Sequence, residues 1–474
     1  MAYKIPMAEL TENASADQQH IPARPKDMAC IDLPTKLVDN WQEKAIEKFA
    51  ELLDKYRGLR VFMDTCVRCG ACADKCHYYI GTGDPNNMPV AGAELLRKVY
   101  RRYFTLAGKL LGEKADAADF DEEMLAKWKT YFYQCSECRR CSVFCPYGID
   151  TAEITMAARE IMAAIGVGTK YVTEVVAKVY ETGNNLGIPG PAWKNNCEFF
   201  EDDVVDHKGE NVRYPVDEVG ADVLLVPPSA DNFANDMTME AYGRVFKHLG
   251  VSWTTSTYAD EGGNFGLFLN YKNLKKVNAR MIQAARDLKV KILMWGECGH
   301  AWRGGIYTNT LSGPMDFLDP KYQYPIHILQ WLTDDNCKLL KAFKVDKSLN
   351  DDRIITYHDP CNPARAGQLT EEPRVVMRYC CNRFCEMPPN TIKEYTFCCG
   401  SGGGLLTDEI MPLRYAGGKP RADAAMYVHE KYGVEYMATP CAICKAGLPE
   451  MLKYHKVPVE VTGVLDNLVR AMVV

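Results

Sequence analysis

Cysteine is the residue type in this sequence whose number and spacing could do chemistry. The chain has 20 cysteines among 474 residues, and most of them fall in two short runs and one late group. The members are Cys66, Cys69, Cys72 and Cys76; Cys135, Cys138, Cys141 and Cys145; and Cys361, Cys398, Cys399, Cys441 and Cys444. Thiols that only fill a core show no such clustering, whereas metal ligands do. The pattern therefore favours metal binding.

The two runs are copies of one motif. CVRCGACADKC and CSECRRCSVFCP both have the spacing CxxCxxCxxxC, and Pro146 follows the second run, whereas His77 follows the first. In bacterial ferredoxins this spacing supplies three ligands to one cubane 4Fe–4S cluster, while the fourth cysteine binds the other cluster. The motif predicts one cluster on Cys66, Cys69, Cys72 and Cys145, and a second on Cys135, Cys138, Cys141 and Cys76. Tetrahedral zinc remains the alternative, although zinc ribbons usually pair two CxxC motifs.

The late group has a different composition. Its strings are HDPCNPAR, CCGSGGG and TPCAIC, which together supply five thiols. A cubane needs only four, and adjacent cysteines do not easily bind one metal of a compact four-ligand site. The residues therefore favour a larger or opened cluster, with glycines that let backbone N–H groups approach anionic sulfides. The alternative is a glycine-rich turn with buried thiols.

Several other residues are candidates for the same site. Cys298, beside His300 in a loop that follows a predicted strand, is a candidate for contact with substrate or cluster. His358 is either a proton donor to a leaving thiolate or a hydrogen-bonded loop histidine. Arg365 and Lys445 either hold an anionic sulfur or stand at helix starts. Six more cysteines are expected to bind no metal, namely Cys30, Cys197, Cys337, Cys380, Cys381 and Cys385.

The elements that position the two runs lie in the first half of the chain. Residues 1–59 predict an extended arm followed by an amphipathic helix, WQEKAIEKFAELLDKY. Residues 60–168 predict an α+β, ferredoxin-like domain for two clusters, with a helical insert between the runs. Residues 169–219 predict a linker, because glycine, proline and charge break any periodicity there.

From residue 220 onward, strands and helices alternate, which predicts duplicated α/β domains with parallel sheets. Residues 220–350 form the degenerate copy and residues 351–474 the intact one. Ser229, Gly262 with Gly263, and Cys298 stand where the second copy has Cys361, the 398–399 doublet and the 441–444 pair, each expected just after a strand. Ligands of such sheets bind beyond the carboxyl ends of the strands.

Charge and hydropathy exclude several classes of protein. The formal net charge is −6, and no long block of lysine and arginine occurs, so nucleic acid is not an expected partner. The start of the chain lacks the apolar stretch of a secretory signal, and no uncharged apolar run approaches the length of a membrane-spanning helix. A cytoplasmic location is therefore expected, where structural disulfides are rare.

The late strings also carry a family resemblance. The pattern of a single cysteine, CCG and CxxC, together with GECGH, YHDPCNPAR and FCCGSGGG, resembles the CCG domain of the heterodisulfide reductase family. The order of domains over residues 60–474 is similar to that of the K subunits of Dsr membrane complexes in this family. The resemblance implies a noncubane 4Fe–4S cluster on Cys361, Cys398, Cys399, Cys441 and Cys444, at which a disulfide or trisulfide is cleaved. Heterodisulfide reductase has two such sets, and this chain has one.

The resemblance also implies partners. A haem-b membrane subunit would oxidise quinol, other subunits would complete the complex, and the small sulfur-carrier protein DsrC would present its trisulfide, in dissimilatory sulfur metabolism. The chain would then lie on the cytoplasmic membrane only through a partner.

Two alternatives remain. One is the iron–sulfur subunit of a flavin-dependent lactate, glycolate or glycerol-3-phosphate dehydrogenase, with the flavin on another chain because no GxGxxG follows a strand here. The other is a zinc-bearing assembly scaffold.

Overall fold

The computed structural model describes residues 3–259, 264–308, 310 and 313–473. The chain divides into two compact units. Unit 1 comprises Met1–Glu174, Leu267–Tyr271 and Phe397–Asp423, and unit 2 comprises Val175–Gly266, Lys272–Thr396 and Ala424–Val474. These units do not follow the boundaries predicted at 168, 219 and 350, since both predicted CCG copies contribute most of their residues to unit 2.

Helices dominate the first part of the chain. They are α1 (Pro25–Cys30), α2 (Trp41–Lys55), α3 (Arg57–Thr65), α4 (His77–Thr82), α5 (Pro89–Phe104), α6 (Leu106–Leu111), α7 (Glu122–Tyr131), α8 (Arg140–Val143), α9 (Thr151–Ala164), α10 (Lys170–Thr182) and α11 (Gly190–Lys208). The predicted helix α2 is confirmed. It buries Trp41, Ala45, Phe49 and Leu52 on one face because they recur at helical spacing.

Unit 1 has a helical core. The buried face of α2 packs with Leu96 of α5, Trp128 of α7 and Ile161 of α9 in one apolar cluster. Residues 3–222 contain helices, turns and isolated bridges, between Pro22 and Thr169 and from Val216 to Thr255, without a β-strand. The helical part of the expected domain is therefore present, and the α+β detail is not confirmed.

The segment predicted as a linker, 169–219, is helical over much of its length, because α10 and α11 occupy it. In α11, Pro191 lies in the first turn, where a missing N–H costs nothing, and Trp193, Cys197, Phe200 and Val204 are buried at helical spacing. The glycines and prolines of this segment mark the start of a helix rather than a break in one.

Unit 2 contains two parallel four-stranded sheets. The strands are β1 (Val223–Val226), β2 (Trp253–Thr254), β3 (Ile292–Trp295), β4 (Ile326–His327), β5 (Ile355–Tyr357), β6 (Phe384–Cys385), β7 (Tyr436–Ala438) and β8 (Glu460–Thr462). Their orders are β2-β1-β3-β4 and β6-β5-β7-β8. In the first sheet Val223 pairs with Ile292, and in the second Ile355 pairs with Tyr436. The equal orders agree with the predicted duplication.

Helices connect these strands. They are α12 (Ser229–Phe233), α13 (Asp236–Leu249), α14 (Tyr271–Asp287), α15 (Gly299–Ile306), α16 (Ile328–Cys337, whose backbone leaves helical geometry at 334–336), α17 (Glu371–Cys380), α18 (Met411–Tyr432), α19 (Ala442–Tyr454) and α20 (Val464–Ala471). One apolar cluster joins both sheets, since it contains Leu225 of β1, Tyr357 of β5, Phe246 of α13 and Leu468 of α20. This shared core explains why the two copies form one unit.

The prediction that every ligand position directly follows a strand is wrong for the 398–399 doublet. KEYTF contains the short 3₁₀ turn Lys393–Tyr395, and the edge beside β5 is taken by β6. The Thr396 hydroxyl donates to the carbonyl oxygen of Asp359 at 2.8 Å, so a side chain rather than strand pairing fixes this segment. Gly262 and Gly263, the counterparts of the doublet in the first copy, lie outside the described residues.

None of the helices in the described part of the chain is both long enough and apolar enough to span a membrane.

Candidate iron–sulfur sites

The second cysteine run and the last cysteine of the first run surround one cavity of unit 1. Its volume is about 620 Å³, and Cys76, Cys135, Cys138 and Cys141 all line it. The backbone N–H of Glu137 donates to the Cys135 sulfur at 3.4 Å, a contact typical of cluster thiolates. The set formed by these four cysteines is called the inner set below.

The first run meets the last cysteine of the second run at another cavity of unit 1. Cys66, Cys69, Cys72 and Cys145 line about 430 Å³, and the Ile149 N–H donates to the Cys145 sulfur at 3.4 Å. Cys69 is exposed, whereas the inner set has no exposed member. These four cysteines are called the outer set. Both groupings are those that the ferredoxin spacing predicts.

The chemistry of the donor atoms fits iron–sulfur clusters. Burial raises the pKa of Cys76 to about 12 and that of Cys135 to about 11, so both are neutral thiols at neutral pH unless a cation takes the place of the proton. Iron does this, because it binds the thiolate form. In the described part of the chain, no group of three or more His, Cys, Asp or Glu side chains is arranged to hold a metal ion. The four thiols of each set instead line one cavity, and each run has the cysteine spacing of a 4Fe–4S ligand set.

The CCG segment of unit 1, Phe397–Gly404, packs against the inner set. His77, which follows Cys76 of the inner set, is buried. Its Nδ1 donates to the Gly417 carbonyl oxygen at 2.8 Å, and its Nε2 lies 2.9 Å from Oγ of Ser136. Burial alone would lower the pKa of His77, but Cys398 and Cys138 raise it to about 10.

Two side chains fasten the CCG segment. The Tyr78 hydroxyl donates to the Gly400 carbonyl oxygen at 2.9 Å. Arg140 lies over the ring of Phe397, with 4.0 Å between the guanidinium carbon and the ring centroid.

Arg159 of α9 joins the CCG segment to the inner set. It donates to the carbonyl oxygens of Cys135 at 2.7 Å and Gly403 at 2.9 Å. The fully buried Glu137, at 3.1 Å, balances its charge. One arginine therefore holds both backbone segments.

Gly403 shows how closely the two segments approach. Its φ is +68°, and a Cβ atom would lie 2.7 Å from the backbone of Ser136 in the inner-set loop. A larger residue would require both a strained backbone and a displaced neighbour. Gly403 therefore allows contact between the two backbones, whereas the expected approach of backbone N–H groups to sulfides stays a prediction.

In unit 2, Cys361 lies at the end of β5, in a loop that buried charges hold in place. Arg374 donates two bonds of 2.7 Å to the carboxylate of Asp359, and it also bonds Glu386 at 2.7 Å. Lys393 contributes a backbone N–H to Asp359 at 2.9 Å. His358 is buried, and its backbone N–H donates to the carbonyl oxygen of Ala438. These contacts fix the position of Cys361 relative to the sheet.

The other two late cysteines of unit 2 are Cys441 and Cys444, and Cys441 adjoins the degenerate copy. Cys298 begins α15 after β3, just as Cys441 begins α19 after β7. Hydrogen bonds from Cys298 and Cys444 and the charge of His300 hold the pKa of Cys441 well below its usual range. A Cβ on Gly299 would lie 3.2 Å from the Cys441 sulfur. The structure thus places Cys298 beside Cys441, one of the expected cluster ligands.

The cations near this region have partners of their own. Lys445 is buried, with its Nζ 2.6 Å from the Thr238 hydroxyl, 3.4 Å from Glu297 and 3.6 Å from Asp231. Burial raises the pKa of Glu297 to about 8, and Lys445 only partly offsets this. Arg365 donates to the carbonyl oxygens of residues 394 and 396. Both cations therefore have polar partners within unit 2.

The five late cysteines are divided between the units. Cys398 and Cys399 belong to unit 1, and the other three belong to unit 2. Sequence reasoning did not identify Tyr78, Arg140 or Arg159 as supports of the CCG segment. One signal was available for Arg159, because it lies in a mostly apolar helix, and a charged residue that is buried there has to be paired.

Comparisons with known proteins bear directly on these sites. Residues 62–149 match the model of a 4Fe-4S dicluster domain, and residues 355–449 match that of a cysteine-rich domain, CCG. The first match confirms iron–sulfur clusters in place of zinc. An "Hdr-like menaquinol oxidoreductase iron-sulfur subunit 2" from Archaeoglobus fulgidus is 44% identical, over 92% of this chain and 84% of the relative. The chain belongs to this Hdr-like family.

Further Hdr-like and heterodisulfide reductase proteins are similar along most of the chain. The corresponding Archaeoglobus profundus protein is 43% identical, again over 92% of this chain and 84% of its own length. One subunit of the dihydromethanophenazine:CoB–CoM heterodisulfide reductase from Methanosarcina acetivorans is 24% identical over 86% of this chain and 94% of that protein. The chain is thus an iron–sulfur electron-transfer subunit of the heterodisulfide reductase-like oxidoreductases.

Proposed function

We propose that this chain is the catalytic iron–sulfur subunit of a membrane-bound respiratory complex. Electrons from menaquinol pass through two cubane clusters, on the outer and inner sets, to a noncubane cluster on Cys361, Cys398, Cys399, Cys441 and Cys444. There they reduce the disulfide or trisulfide of a small sulfur-carrier protein such as DsrC. The names of the Archaeoglobus and Methanosarcina relatives support the quinol and the sulfur–sulfur bond, respectively.

One observation carries the proposal: within unit 1, the segment with the CCG doublet is fastened to the inner set. Tyr78, two residues after Cys76, donates to the carbonyl oxygen of Gly400, and Arg159 bonds the backbone of both segments. An iron–sulfur domain that served only for storage or scaffolding would need no such contact. A path for electrons from the inner set to Cys398 requires it.

The exposure of the ligand cysteines indicates the order in which electrons pass through the two cubanes. Cys69 of the outer set is exposed, so a donor on another subunit can approach this cluster closely. The inner set is covered and adjoins the CCG segment. Electrons therefore enter at the outer set, cross to the inner set and leave towards the CCG doublet.

The proposed reaction consumes two electrons and two protons for each sulfur–sulfur bond: a disulfide yields two thiols, and a trisulfide, which has two such bonds, yields two thiols and hydrogen sulfide. Iron–sulfur clusters held by these cysteines would supply the electrons one at a time. Cys298, beside Cys441, is proposed to contact the substrate sulfur, and His358 is proposed as the proton donor to the leaving thiolate.

The proposal includes partners and a location. A haem-b membrane subunit delivers the electrons, the remaining subunits complete the complex, and this chain lies on the cytoplasmic side of the membrane through that partner. Dissimilatory sulfur metabolism is the proposed setting, and nucleic acid is not a partner.

Reoxidation of the reduced clusters tests the function. The protein, purified anaerobically and reduced with dithionite that is then removed, is mixed with DsrC trisulfide, with the DsrC thiol form, or with an oxidised flavoprotein partner. We expect DsrC trisulfide to reoxidise the clusters and the DsrC thiol form to leave them reduced. Reoxidation by the flavoprotein alone would favour the flavin-linked dehydrogenase alternative and contradict the proposal.

A further inference from the structure

One face of helix α5 lines the cavity of the outer set. Pro89, Ala93 and Arg97 follow one another at intervals of four residues, so they lie on the same face of the helix. All three line this cavity together with Cys66 and Cys72. Pro89 and Ala93 are small and apolar, so Arg97 is the member of this face that brings a charge to the cavity.

The guanidinium of Arg97 is buried and only partly bonded. Just 1% of the surface of this residue is exposed. Nε and Nη2 both donate to the carbonyl oxygen of Phe62 at 3.3 Å, whereas Nη1 has no hydrogen-bond partner in the described part of the chain. Oε2 of Glu94 lies 3.8 Å from Nη1, too far for a hydrogen bond. Because a buried donor without an acceptor is costly, Nη1 is expected to have an acceptor in the cavity.

Positive charge is in excess beside this cavity. The carboxylate of Glu94 is shared, since it also accepts from Arg68 at 3.0 Å and from Arg101. Asp116 pairs with the same two arginines. Three arginines therefore face two carboxylates. Reduction adds one negative charge to a cluster that four thiolates already make anionic, so a buried cation beside it favours the reduced form.

We propose that Arg97 donates an N–H of Nη1 to a sulfur of the outer cluster and thereby raises the reduction potential of that cluster. Its bonds to Phe62, in the last turn of α3, keep the guanidinium in place just before Cys66. The outer cluster gains one electron from the donor and gives it to the inner cubane, while Arg97 keeps its protons. The inference rests on the proposed function only for the outer cluster being the point of electron entry.

Two substitutions separate the charge of Arg97 from its position. Arg97→Gln keeps an N–H that can donate to the Phe62 carbonyl oxygen, but it carries no charge. Arg97→Lys keeps the charge but not the planar fork that can bond Phe62 and a sulfur at once. The matched control is Arg102→Gln, because Arg102 lies in the last turn of the same helix and pairs with Asp119 at 2.6 Å.

Redox titration of the anaerobically purified holoprotein, followed by paramagnetic resonance, measures the potential of each cubane. At a given ambient potential, Arg97→Gln should lower the ratio of reduced to oxidised outer cluster by at least about tenfold, which for one electron is a fall of about 59 mV. Arg97→Lys should lower this ratio less. The inner cluster should keep its wild-type potential in both variants, and Arg102→Gln should match the wild type at both clusters.

A second measurement detects the contact itself. In protein labelled with guanidino-¹⁵N arginine, pulsed paramagnetic resonance should show a nitrogen coupling to the reduced outer cluster, and Arg97→Lys should lose it. An unchanged outer potential in Arg97→Gln with full iron would overturn the inference, as would equal nitrogen coupling in the wild type and Arg97→Lys.

Loss of the outer cluster from both Arg97 variants would also overturn the inference, because Arg97 would then only support the fold. Neither measurement uses quinol or a sulfur substrate. Failure of the trisulfide to reoxidise the wild type therefore counts against the proposed function alone.

Discussion

At the scale of single residues, the fourth cysteine of each run is the most informative. Cys145 lies with Cys66, Cys69 and Cys72, and Cys76 lies with the second run. This exchange ties two distant stretches of sequence together at each cluster. The assembly of each cluster therefore depends on the fourth cysteine of the other run.

We therefore expect Cys145→Ser to remove the cluster of the outer set and Cys76→Ser to remove that of the inner set. Each variant should lose about four irons and one cubane signal. Redox titration followed by paramagnetic resonance distinguishes the two clusters. Cys30→Ser, outside both sets, is the control with full iron. If Cys145→Ser abolished the signal that depends on Cys135, each run would hold its own cluster and the assignment would be wrong.

The Asp359–Arg374 pair is the second feature at this scale. Both side chains are almost fully buried, and breaking a buried ion pair is costly because it leaves one charge without a partner. We expect Arg374→Met to destabilise the protein by about 3–5 kcal/mol, as measured by anaerobic thermal unfolding. The double variant Asp359→Asn/Arg374→Met should recover part of this loss. Equal instability of the single and double variants would show that the pair is not the cause.

At the scale of elements, the close approach of the CCG segment to the inner-set loop can be tested through glycine. Gly403 and Gly250 have similar φ values, +68° and +63°, but only Gly403 has a neighbour within 4 Å of a Cβ position. We expect Gly250→Ala to cost about 1 kcal/mol through backbone strain. Gly403→Ala should cost about 1–3 kcal/mol more through overpacking and should weaken the paramagnetic signal of the CCG cluster. Equal stability and equal signals in the two variants would contradict the close packing.

Elements with a strong periodic signal were predictable from the sequence. Helix α2 shows helical spacing, and β1, β3, β5 and β7 are central strands flanked on both sides, so their runs are short and apolar. The sequence did not reveal α11, because Pro191 and Gly190 look like breakers when they stand at a helix start. The edge strands β6 and β8 are half-buried or exposed along their length, so no buried apolar run marks them.

At the scale of the whole molecule, the sequence predicted which cysteines group together in unit 1 because the ferredoxin spacing fixes the ligand exchange. It could not predict what fastens Cys398 to the inner set. Tyr78, Arg159 and Gly403 come from three distant parts of the chain, and no local pattern links them. The sequence predicted that Cys298 could contact the site of the intact copy, because Cys298 and Cys441 occupy equivalent positions in the two copies.

The central claim is that this chain carries three clusters and that the CCG doublet holds the one that reduces sulfur. Iron and acid-labile sulfide analysis of Cys399→Ala, combined with low-temperature paramagnetic resonance, tests it most directly, with Cys381→Ala of the other cysteine doublet as the matched control. Wild type and Cys381→Ala should contain about twelve irons per chain. Cys399→Ala should keep both cubane signals, lose the turnover-linked signal and lose trisulfide reduction. Retention of trisulfide reduction by Cys399→Ala would contradict the account.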